Sequence, residues 1–387
     1  MKLKVRLWGC LFLIFMNVVP ALFAGNESQT ALQEVKLQLK WVHQFEFAGY
    51  YAAIEKGFYS ELGIHVDLLL PDGQLSPVEK VVKGEADFGI TSSDILLARS
   101  KNKKLVVLSS IFQHSPNALL VSAASGITNP RQLAGKTIAL ESDSAEIIAF
   151  LEQASVFPGI QDIKPLKYDA IQLLNGETDA ISSYITDEPF LLDSLGFKYN
   201  VLIPMSGGID FYGDLLFTSE ELIAENPELV ANFRKASLRG WKYAMDHPFE
   251  IVDLIRNKYG QHHTKDHLIF EMEKMKDLIW EDFVEIGYSN PDRWEKILKV
   301  YQEMGLIDPE FTIDGLLYEK DYQQQAFVFP WKMVGIFLLI LTSISTLAYV
   351  FYKSSKNLRR EINSRQKIEK ELSESEALYR SVLTASP

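Results

Sequence analysis

Short apolar and polar blocks alternate along residues 34–325, and their lengths predict strands and helices in turn. The segments VKLQLKW, IHVDLLL, DFGITSS and KLVVLSSIFQ predict strands. Between them, residues 49–62 and the segments SPVEKVVKGEA and DILLARSK predict helices, and Ser76 followed by Pro77 suits a helix N-cap and first helical position. Alternation of this kind predicts a parallel α/β sheet covered by helices on both faces.

The same theme repeats further along the chain. NALLVSAASG predicts another strand, and the stretch that continues to DAISSYITDEPFLLDSLG predicts a second α/β lobe. FYGDLLFTS predicts a strand that returns to the first lobe, and residues 220–308 are almost all helical in pattern. Crossings near Val121 and Leu216 predict a two-lobed, Venus-flytrap periplasmic-binding-protein fold of the α/β class. Its lobe 1 covers about 34–121 and 216–325, and lobe 2 covers about 122–215.

The first 24 residues have the pattern of a signal peptide. Basic residues precede an apolar run from Leu7 to Val19, which is shorter than the roughly 20 residues of a membrane span, and small residues follow it. Cys10 is the chain's only cysteine. It superficially resembles a lipoprotein processing site, but most of the apolar run follows it. Cleavage of residues 1–24 would leave no cysteine, which excludes disulfides and thiolate sites from the exported part.

A second apolar segment, residues 327–352, is long enough to cross a hydrocarbon core of about 30 Å as a helix. Trp331 lies near one end and Tyr352 at the other, as is typical of membrane interfaces. Six basic residues follow: Lys353, Lys356, Arg359, Arg360, Arg365 and Lys367. By the positive-inside rule, this flank is cytoplasmic and contacts anionic lipid. The pattern predicts a single-pass inner-membrane protein with its N-terminal domain in the periplasm.

Residues 353–378 predict a cytoplasmic signalling helix. An apolar stripe recurs there and just beyond it at roughly three- and four-residue steps, formed by Leu358, Ile362, Ile368, Leu372, Tyr379 and Val382. Arg365 and Ser375 interrupt it. The stripe favours a parallel coiled coil and therefore a homodimer, and a solvated single helix is the alternative.

Charge narrows the classes of partner. The net charge is −12 and the isoelectric point is about 5.2, whereas a nucleic-acid-binding surface needs a basic excess. We therefore expect no nucleic-acid partner. We expect a small-molecule ligand instead, because the carboxyl ends of strands in open α/β sheets form ligand crevices.

Two resemblances sharpen this picture. The segments WVHQFEFAGYY, AAIEKGFYSELGIHVDLL, VVKGEADFGITSSDILLA, LAGKTIAL, DAISSYITDEPFLL and FYGDLLFTSEELIAENPELVANFRKA resemble periplasmic pyrimidine-precursor-binding proteins and thiamine-pyrimidine synthases, a family related to sulfonate binders. Residues 374–387 resemble the start of a PAS domain as it follows a signalling helix in bacterial sensors. This implies a sensor whose output module, a histidine kinase or a diguanylate cyclase, lies beyond Pro387.

Candidate ligand contacts follow from these two lines of argument. Aromatic residues crowd the end of the first strand, where heteroaromatic ligands could stack on them or where they could simply pack in the core: Trp41, His43, Phe45 and Tyr50. Polar groups follow a later strand end and can hold a polar ligand group: Ser92, Ser93 and Asp94. The remaining candidates lie near the crossings or in lobe 2: His114, Tyr184, Glu188, Phe211, Tyr212 and Asp214.

Two predictions concern neighbouring polar residues. We expect Glu188 to contact an amine or protonated ring nitrogen of the ligand and Asp187 to cap the helix that follows it. His43 and His114 have no second histidine or thiolate at metal-ligand spacing, so we expect them to form hydrogen bonds or pack rather than bind a metal. His262 and His263 are adjacent and cannot both face one point from a helix, so we expect them to lie on the surface. The expectation is that the chain has no metal site.

The resemblance also bears on catalysis. The synthases hold pyridoxal phosphate on a lysine and consume a histidine, in a segment where this chain has Thr91 and Ile95, and their cysteine-rich motif corresponds here to GGIDFYGD. These departures favour a binding module without enzymatic activity or cofactor over a synthase. A membrane-anchored binding component of an importer is the other alternative.

Overall fold

The computed structural model describes residues 32–141, 144–157, 159–166, 170–260, 262–318 and 331–384. The predicted signal peptide lies outside these residues. The chain divides into one unit that ends at Glu319 and a second that begins at Lys320. Each unit is described by itself.

The first unit contains two five-stranded sheets, which define the two lobes. The ten strands are β1 (Gln33–Gln38), β2 (Ile64–Leu69), β3 (Phe88–Thr91), β4 (Leu105–Phe112), β5 (Asn117–Ser122), β6 (Thr137–Leu140), β7 (Asp162–Pro165), β8 (Ala180–Tyr184), β9 (Tyr199–Leu202) and β10 (Gly213–Ser219). Lobe 1 has the order β2-β1-β3-β10-β4, and lobe 2 has the order β7-β6-β8-β5-β9. The predicted α/β architecture of two lobes is therefore present.

Helices surround these sheets. In lobe 1 they are α1 (Ala48–Glu55), α2 (Pro77–Val82) and α3 (Ile95–Ser100), and in lobe 2 they are α4 (Ala145–Gln153), α5 (Ile171–Leu174) and α6 (Glu188–Ser194). After β10 the chain is helical, as predicted: α7 (Glu220–Glu225), α8 (Pro227–Asp246), α9 (Pro248–Leu254), α10 (Lys265–Ile279) and α11 (Pro291–Glu303). At α2, Ser76 accepts a hydrogen bond from the backbone N–H of Glu79 and Pro77 is the first helical residue, which confirms the predicted start.

The sheets are mixed rather than parallel, which corrects the sequence prediction. β10 is antiparallel to β3 and β4, and β5 is antiparallel to β8 and β9. Both strands enter their sheet from the other lobe, so they start at the edge where the neighbouring parallel strands end. The carboxyl ends of β1, β3, β4, β6 and β8 therefore all face the junction between the lobes.

The two crossings lie a few residues away from the predicted positions. Val121 pairs with Ala180 inside the lobe 2 sheet, and Leu216 pairs with Ile90 inside the lobe 1 sheet. The chain crosses between β4 and β5, around Pro116, and again between β9 and β10. Residues 113–116 (QHSP) separate the apolar runs of β4 and β5, and residues 203–212 separate β9 from β10, so each crossing falls in a break between two strands rather than inside one.

A large core cluster holds lobe 1 together. Gly240 of α8 lies against α1 so closely that an added Cβ would stand 2.1 Å from the carbonyl oxygen of Gly49. Trp241 beside it is fully buried. Glycine at this crossing lets the two helix backbones touch, and this fixes α1 and the chain segment that leads into it.

The second unit is described by one helix, α12 (Trp331–Thr384). It combines the predicted membrane segment and signalling helix without a break, although residues 327–330 lie outside the described part. Within α12, Phe337–Ala377 includes a stretch long and apolar enough to cross a membrane, with a mean hydropathy of 1.4. The predicted start of a PAS domain coincides with the end of this helix and stays a prediction.

Candidate functional site

Lys40 lies at the centre of a polar cluster between the lobes. It follows the carboxyl end of β1 by two residues, where the strand delivers it to the junction. Its Nζ donates a hydrogen bond of 2.9 Å to the hydroxyl of Tyr184, the last residue of β8 in lobe 2. Two carboxylates of lobe 1 flank the same ammonium, Glu46 at 2.9 Å and Asp214 in closer contact. We call Lys40, Glu46, Tyr184 and Asp214 the Lys40 cluster.

Burial and charge set the protonation of this cluster. Burial acts to lower the pKa of Lys40, but the carboxylates of Asp214 and Glu46 outweigh it and raise that pKa well above its ordinary value. Burial raises the pKa of Asp214, and the neighbouring Glu46 raises it further. Lys40 is therefore charged, and the carboxyl group of Asp214 keeps its proton to a higher pH than an ordinary aspartate does.

Polar atoms around Lys40 lack good partners. Both oxygens of Asp214 and Oε1 of Glu46 are buried; Oδ1 of Asp214 and Oε1 of Glu46 form ion pairs with Lys40, whereas Oδ2 of Asp214 lies in no ion pair and accepts no hydrogen bond from the described residues. The buried hydroxyl of Tyr50 is also unpaired within the described chain, and burial raises its pKa. Unpaired buried polar groups cost about 1–3 kcal/mol each, so such a concentration of them indicates a place where a polar ligand or water completes the bonding.

The backbone at Asp214 is strained. Its φ is +48°, a left-handed conformation that residues other than glycine rarely adopt. Strain of this kind costs on the order of 1–3 kcal/mol and persists only where surrounding structure imposes it, which is most often at functional sites. Here it aims the carboxylate at Lys40.

The turn that carries Glu46 is held in place by the side chain of Glu271 from α10. Oε2 and Oε1 of the buried Glu271 accept hydrogen bonds from the backbone N–H groups of Phe45 and Glu46, at 2.8 and 2.9 Å. Gln44 also donates to Oε2 of Glu46 at 2.8 Å. The acidic side of the cluster is thus held rigidly in place, whereas Tyr184 belongs to the other lobe.

Another buried carboxyl group lies where the chain first crosses between the lobes. Glu146, near the start of α4, accepts hydrogen bonds from Ser115 in the crossing segment and from Asn117 at the start of β5. Its burial raises its pKa to about 7. Nearby Asp94 of lobe 1 adds to that rise, so Glu146 is neutral over much of the range in which ordinary glutamates are ionised.

The structure brings three of the predicted ligand contacts, Tyr50, Tyr184 and Asp214, to the Lys40 cluster. Glu188 supports it, because its Oε2 accepts a hydrogen bond from the backbone N–H of Tyr184. Burial first, and then Asp187, raise the pKa of Glu188 to about 8. Trp41 is next to Lys40 in the chain and packs half-buried against the lobe 1 core.

Four other predicted contacts pack in the core or bond internally. Phe45 is fully buried in the core, and Phe211 packs on Tyr301. Tyr212 is buried against Trp294, and its backbone oxygen accepts a hydrogen bond of 2.7 Å from Ser93. For these four residues the structure shows packing and internal bonding.

Four more candidates are engaged by nearby side chains. His43 shares a hydrogen bond of 2.9 Å with Tyr51, and His114 contacts Asp210 at 3.0 Å. Asp94 accepts a bond from Tyr301, and Ser92 accepts one from the backbone N–H of Asp94.

Two local predictions are wrong. Asp187 occupies the N-cap position of α6, but its side chain makes no capping hydrogen bond there. It turns instead to Nε2 of His267 at 2.9 Å. His263 is half-buried rather than on the surface, and its Nδ1 lies 2.9 Å from Nδ1 of His267. Burial, and then His267, lower the pKa of His263.

Sequence reasoning missed Lys40, Glu46, Glu146 and Glu271. A signal for Lys40 existed, since it is the one charge among LQLKWV at a predicted strand end. The partners of Lys40 come from distant parts of the chain, and no local pattern connects them.

Three proteins of known function are similar to this chain in sequence. The chain is 24% identical to a formylaminopyrimidine-binding protein of Halalkalibacterium halodurans over 69% of this chain and 84% of that protein. It is 24% identical to the riboflavin-binding protein RibY of Chloroflexus aurantiacus over 79% of this chain and 94% of RibY. It is also 24% identical to a 4-amino-5-hydroxymethyl-2-methylpyrimidine phosphate synthase of Legionella pneumophila over 72% and 89%, respectively.

Solved structures show the same fold. A putative periplasmic sulfonate-binding protein, SsuA, from Methylobacillus flagellatus KT superposes with a TM-score of 0.57 at 17% identity, covering 77% of this chain and 97% of that one. The predicted periplasmic-binding-protein fold is thus confirmed. The model of the family described as NMT1/THI5 like matches residues 44–251, which confirms the resemblance to pyrimidine-precursor-binding proteins and thiamine-pyrimidine synthases. Because this match spans more than half of the 387 residues, the chain belongs to the NMT1/THI5-like family.

Proposed function

We propose that the first unit binds a small polar heteroaromatic ligand of the aminopyrimidine type between its lobes, at the Lys40 cluster. The observation that carries the proposal is the buried ammonium of Lys40, held by two carboxyl groups of one lobe and a hydroxyl of the other. A buried carboxyl oxygen such as Oδ2 of Asp214 can take a hydrogen bond from an exocyclic amine, and Lys40 and Tyr184 can donate to ring nitrogens or an oxygen.

The relatives support this ligand class. Formylaminopyrimidine and riboflavin, which two relatives are named for, are both flat nitrogen heterocycles. The proposal assigns binding without a chemical step, because Thr91 and Ile95 can neither form a Schiff base nor supply an imidazole.

Ligand binding would shift the domain towards its closed form. The Lys40–Tyr184 bond forms only when the lobes approach, so a ligand that bridges the same groups favours the closed form by its differential affinity for closed over open. We infer that the domain is periplasmic, that α12 anchors it in the inner membrane, and that closure is read out as a signal by the cytoplasmic part of α12. The membrane segment within α12 and the basic residues that follow it support this topology.

The importer component remains a second candidate. It is favoured because one relative is a formylaminopyrimidine-binding protein and the SsuA neighbour is a putative component of a sulfonate ABC transporter. The two candidates share the ligand and differ in the partner. Crosslinking of ligand-loaded membranes tests this, because a sensor pairs with a second copy of this chain and an importer component with a permease.

The ligand itself is tested on the full chain in lipid nanodiscs. Formylaminopyrimidine, riboflavin and an alkanesulfonate are titrated by calorimetry against the wild type, Asp214→Asn and Tyr184→Phe. The expected result is saturable binding of the pyrimidine that both substitutions weaken by about tenfold or more, since each lost bond to a charged group is worth about 1.5–3 kcal/mol. Lys36→Met, an exposed change on β1, is the matched control. If both variants bind the pyrimidine with the affinity of the wild type, the proposed site is refuted. If only the sulfonate binds, the proposed ligand class is refuted.

A further inference from the structure

Asp187, His263 and His267 form a compact cluster across the lobe junction, separate from the Lys40 cluster. Asp187 precedes α6 in lobe 2, whereas His263 and His267 lie at the start of α10 in lobe 1. Nε2 of His267 is 2.9 Å from Oδ1 of Asp187, and the Nδ1 atoms of the two histidines are also 2.9 Å apart. One ligand atom from each residue can be chosen so that all three lie within 4.8 Å of one another.

Local structure holds these side chains in place. Thr264 caps α10 by accepting a hydrogen bond from the backbone N–H of His267 at 3.2 Å, which sets His263 just before the helix and His267 in its first turn. The ring of Phe190, from α6, stacks on His267 with the ring centroids 4.5 Å apart and the planes 12° apart. Both lobes therefore fix the position of His267.

An ordinary ion pair explains only part of this arrangement. A bond between His267 and Asp187 accounts for two of the three residues. Nε2 of His263 is buried and has no hydrogen-bond partner among the described residues. Two imidazoles and one carboxylate, with one buried nitrogen unpaired, are a donor set suited to a transition metal rather than to Mg²⁺ or Ca²⁺.

We propose that Asp187, His263 and His267 bind a divalent transition-metal ion of the Zn²⁺ type that bridges the two lobes. Zn²⁺ takes nitrogen and carboxylate oxygen ligands at about 2.0–2.2 Å, and three protein ligands leave a fourth position for water.

A bridging ion acts on the conformation of the domain. Its ligands come together only when the lobes are closed, so the ion binds the closed form more tightly and stabilises it. This effect does not depend on the ligand proposed for the Lys40 cluster. Glu271, on the same helix α10, holds the turn of Glu46, so α10 contacts both sites.

A second, unrelated cluster provides a matched control. Glu34, His65 and Asp67 also lie within ligand distance of one another, but on two adjacent strands of lobe 1 and fully on the surface. Exposed groups of this kind commonly occur without an ion, and they cannot bridge the lobes. His65→Gln removes this cluster, and His262→Gln changes an exposed histidine beside His263.

The test uses the full chain, purified without a polyhistidine tag, treated with EDTA and titrated with Zn²⁺ alone by calorimetry. The expected result is one Zn²⁺ per chain, with affinity lowered at least about tenfold by Asp187→Asn, His263→Gln and His267→Gln and unchanged by His65→Gln and His262→Gln. Asp187→Glu keeps a carboxylate and is expected to retain binding. Melting temperatures in EDTA show that each variant is folded, and the visible absorption of bound Co²⁺ checks the ligand set on the wild type.

The decisive comparison is between the lobes. Equal losses from Asp187→Asn in lobe 2 and His267→Gln in lobe 1 support a bridging ion, as does a rise in the melting temperature of the wild type with Zn²⁺ that Asp187→Asn abolishes. The proposal is overturned if the chain shows no saturable Zn²⁺ binding, if Asp187→Asn leaves the affinity unchanged, or if only His65→Gln reduces it.

Discussion

Lys40 and Tyr184 are 144 residues apart in the sequence and share a hydrogen bond of 2.9 Å across the lobe junction. The Nζ of Lys40 also lies 4.5 Å from the centroid of the Tyr184 ring. In the proposed lobe movement, opening separates the two residues and lets water reach an ammonium that is otherwise buried. The same pair would therefore link the proposed binding site to the conformation of the domain.

Lys40→Met is expected to destabilise the first unit more at pH 8 than at pH 5. It leaves the carboxyl groups of Glu46 and Asp214 together without a cation, and loss of one partner of a buried ion pair costs about 3–5 kcal/mol when the rest stays charged. The raised pKa of Asp214 rises further without Lys40, so protonation relieves the cost at low pH. Thermal unfolding of the full chain at both pH values measures this, with Lys36→Met as the exposed control. A loss of equal size at both pH values would contradict the charge argument.

Two substitutions at Asp214 distinguish the effect of its charge on stability from the effect of its left-handed backbone. Asn tolerates the left-handed region, so Asp214→Asn is expected to keep the fold within about 1 kcal/mol, whereas the β-branched Asp214→Val is expected to cost about 1–3 kcal/mol more because of its φ of +48°. Chemical denaturation of both variants gives the difference. Equal stability of the two variants would show that the backbone at residue 214 relaxes.

The two α/β lobes could be predicted from the sequence because the period of the apolar residues distinguishes strands from helices and gives their order along the chain. The sequence also placed Tyr184 just after a strand and Asp214 near the return crossing, and in the structure Tyr184 ends β8 and Asp214 is the second residue of β10. Phe45 and Phe211 were harder to assign, because the same aromatic residue suits a core and a ligand cleft equally well. The local pattern before α6 favoured a cap by Asp187, whereas its actual contact, His267, is 80 residues away. Contacts between lobes depend on how distant elements meet, and a one-dimensional pattern does not contain that information.

Glu146 is expected to make the stability of the first unit fall as pH rises. Its pKa is raised by burial from 4.5 to about 7, so its contribution is fully present below about pH 4.5 and is lost as pH rises through 7. The shift corresponds to about 3 kcal/mol. Glu146→Gln keeps an oxygen that can accept from Ser115 and Asn117 but cannot ionise.

The measurement is the melting temperature of Glu146→Gln relative to wild type between pH 5 and pH 8. The melting temperature of the variant is expected to match that of the wild type at pH 5 and to exceed it at pH 8. Because both proteins contain the other buried acids, the titration of those acids cancels in the difference. Glu152→Gln, on the same helix, is the control. A difference that does not change with pH would show that Glu146 ionises normally in the folded chain.

The last prediction concerns the apolar stripe of α12. Leu358 and Ile362 are one helical turn apart and exposed in the single chain, as expected for side chains that pack against a second copy. Ser364 is two residues beyond Ile362, about 200° around a helix of 3.6 residues per turn, and therefore lies on the opposite face. A parallel coiled coil brings Ile362 against its own copy and keeps the two Ser364 residues apart.

Cysteine crosslinking in membranes distinguishes the coiled coil from a solvated single helix. With Cys10 replaced by serine, Ile362→Cys is expected to form a disulfide-linked dimer on mild oxidation, and Ser364→Cys is expected to stay monomeric on a non-reducing gel. Arg365 interrupts the stripe, so Arg365→Leu is expected to increase the crosslinking of Ile362→Cys by completing the apolar seam. Equal crosslinking at positions 362 and 364 would indicate random collisions between single helices, and the parallel dimer would then have to be abandoned.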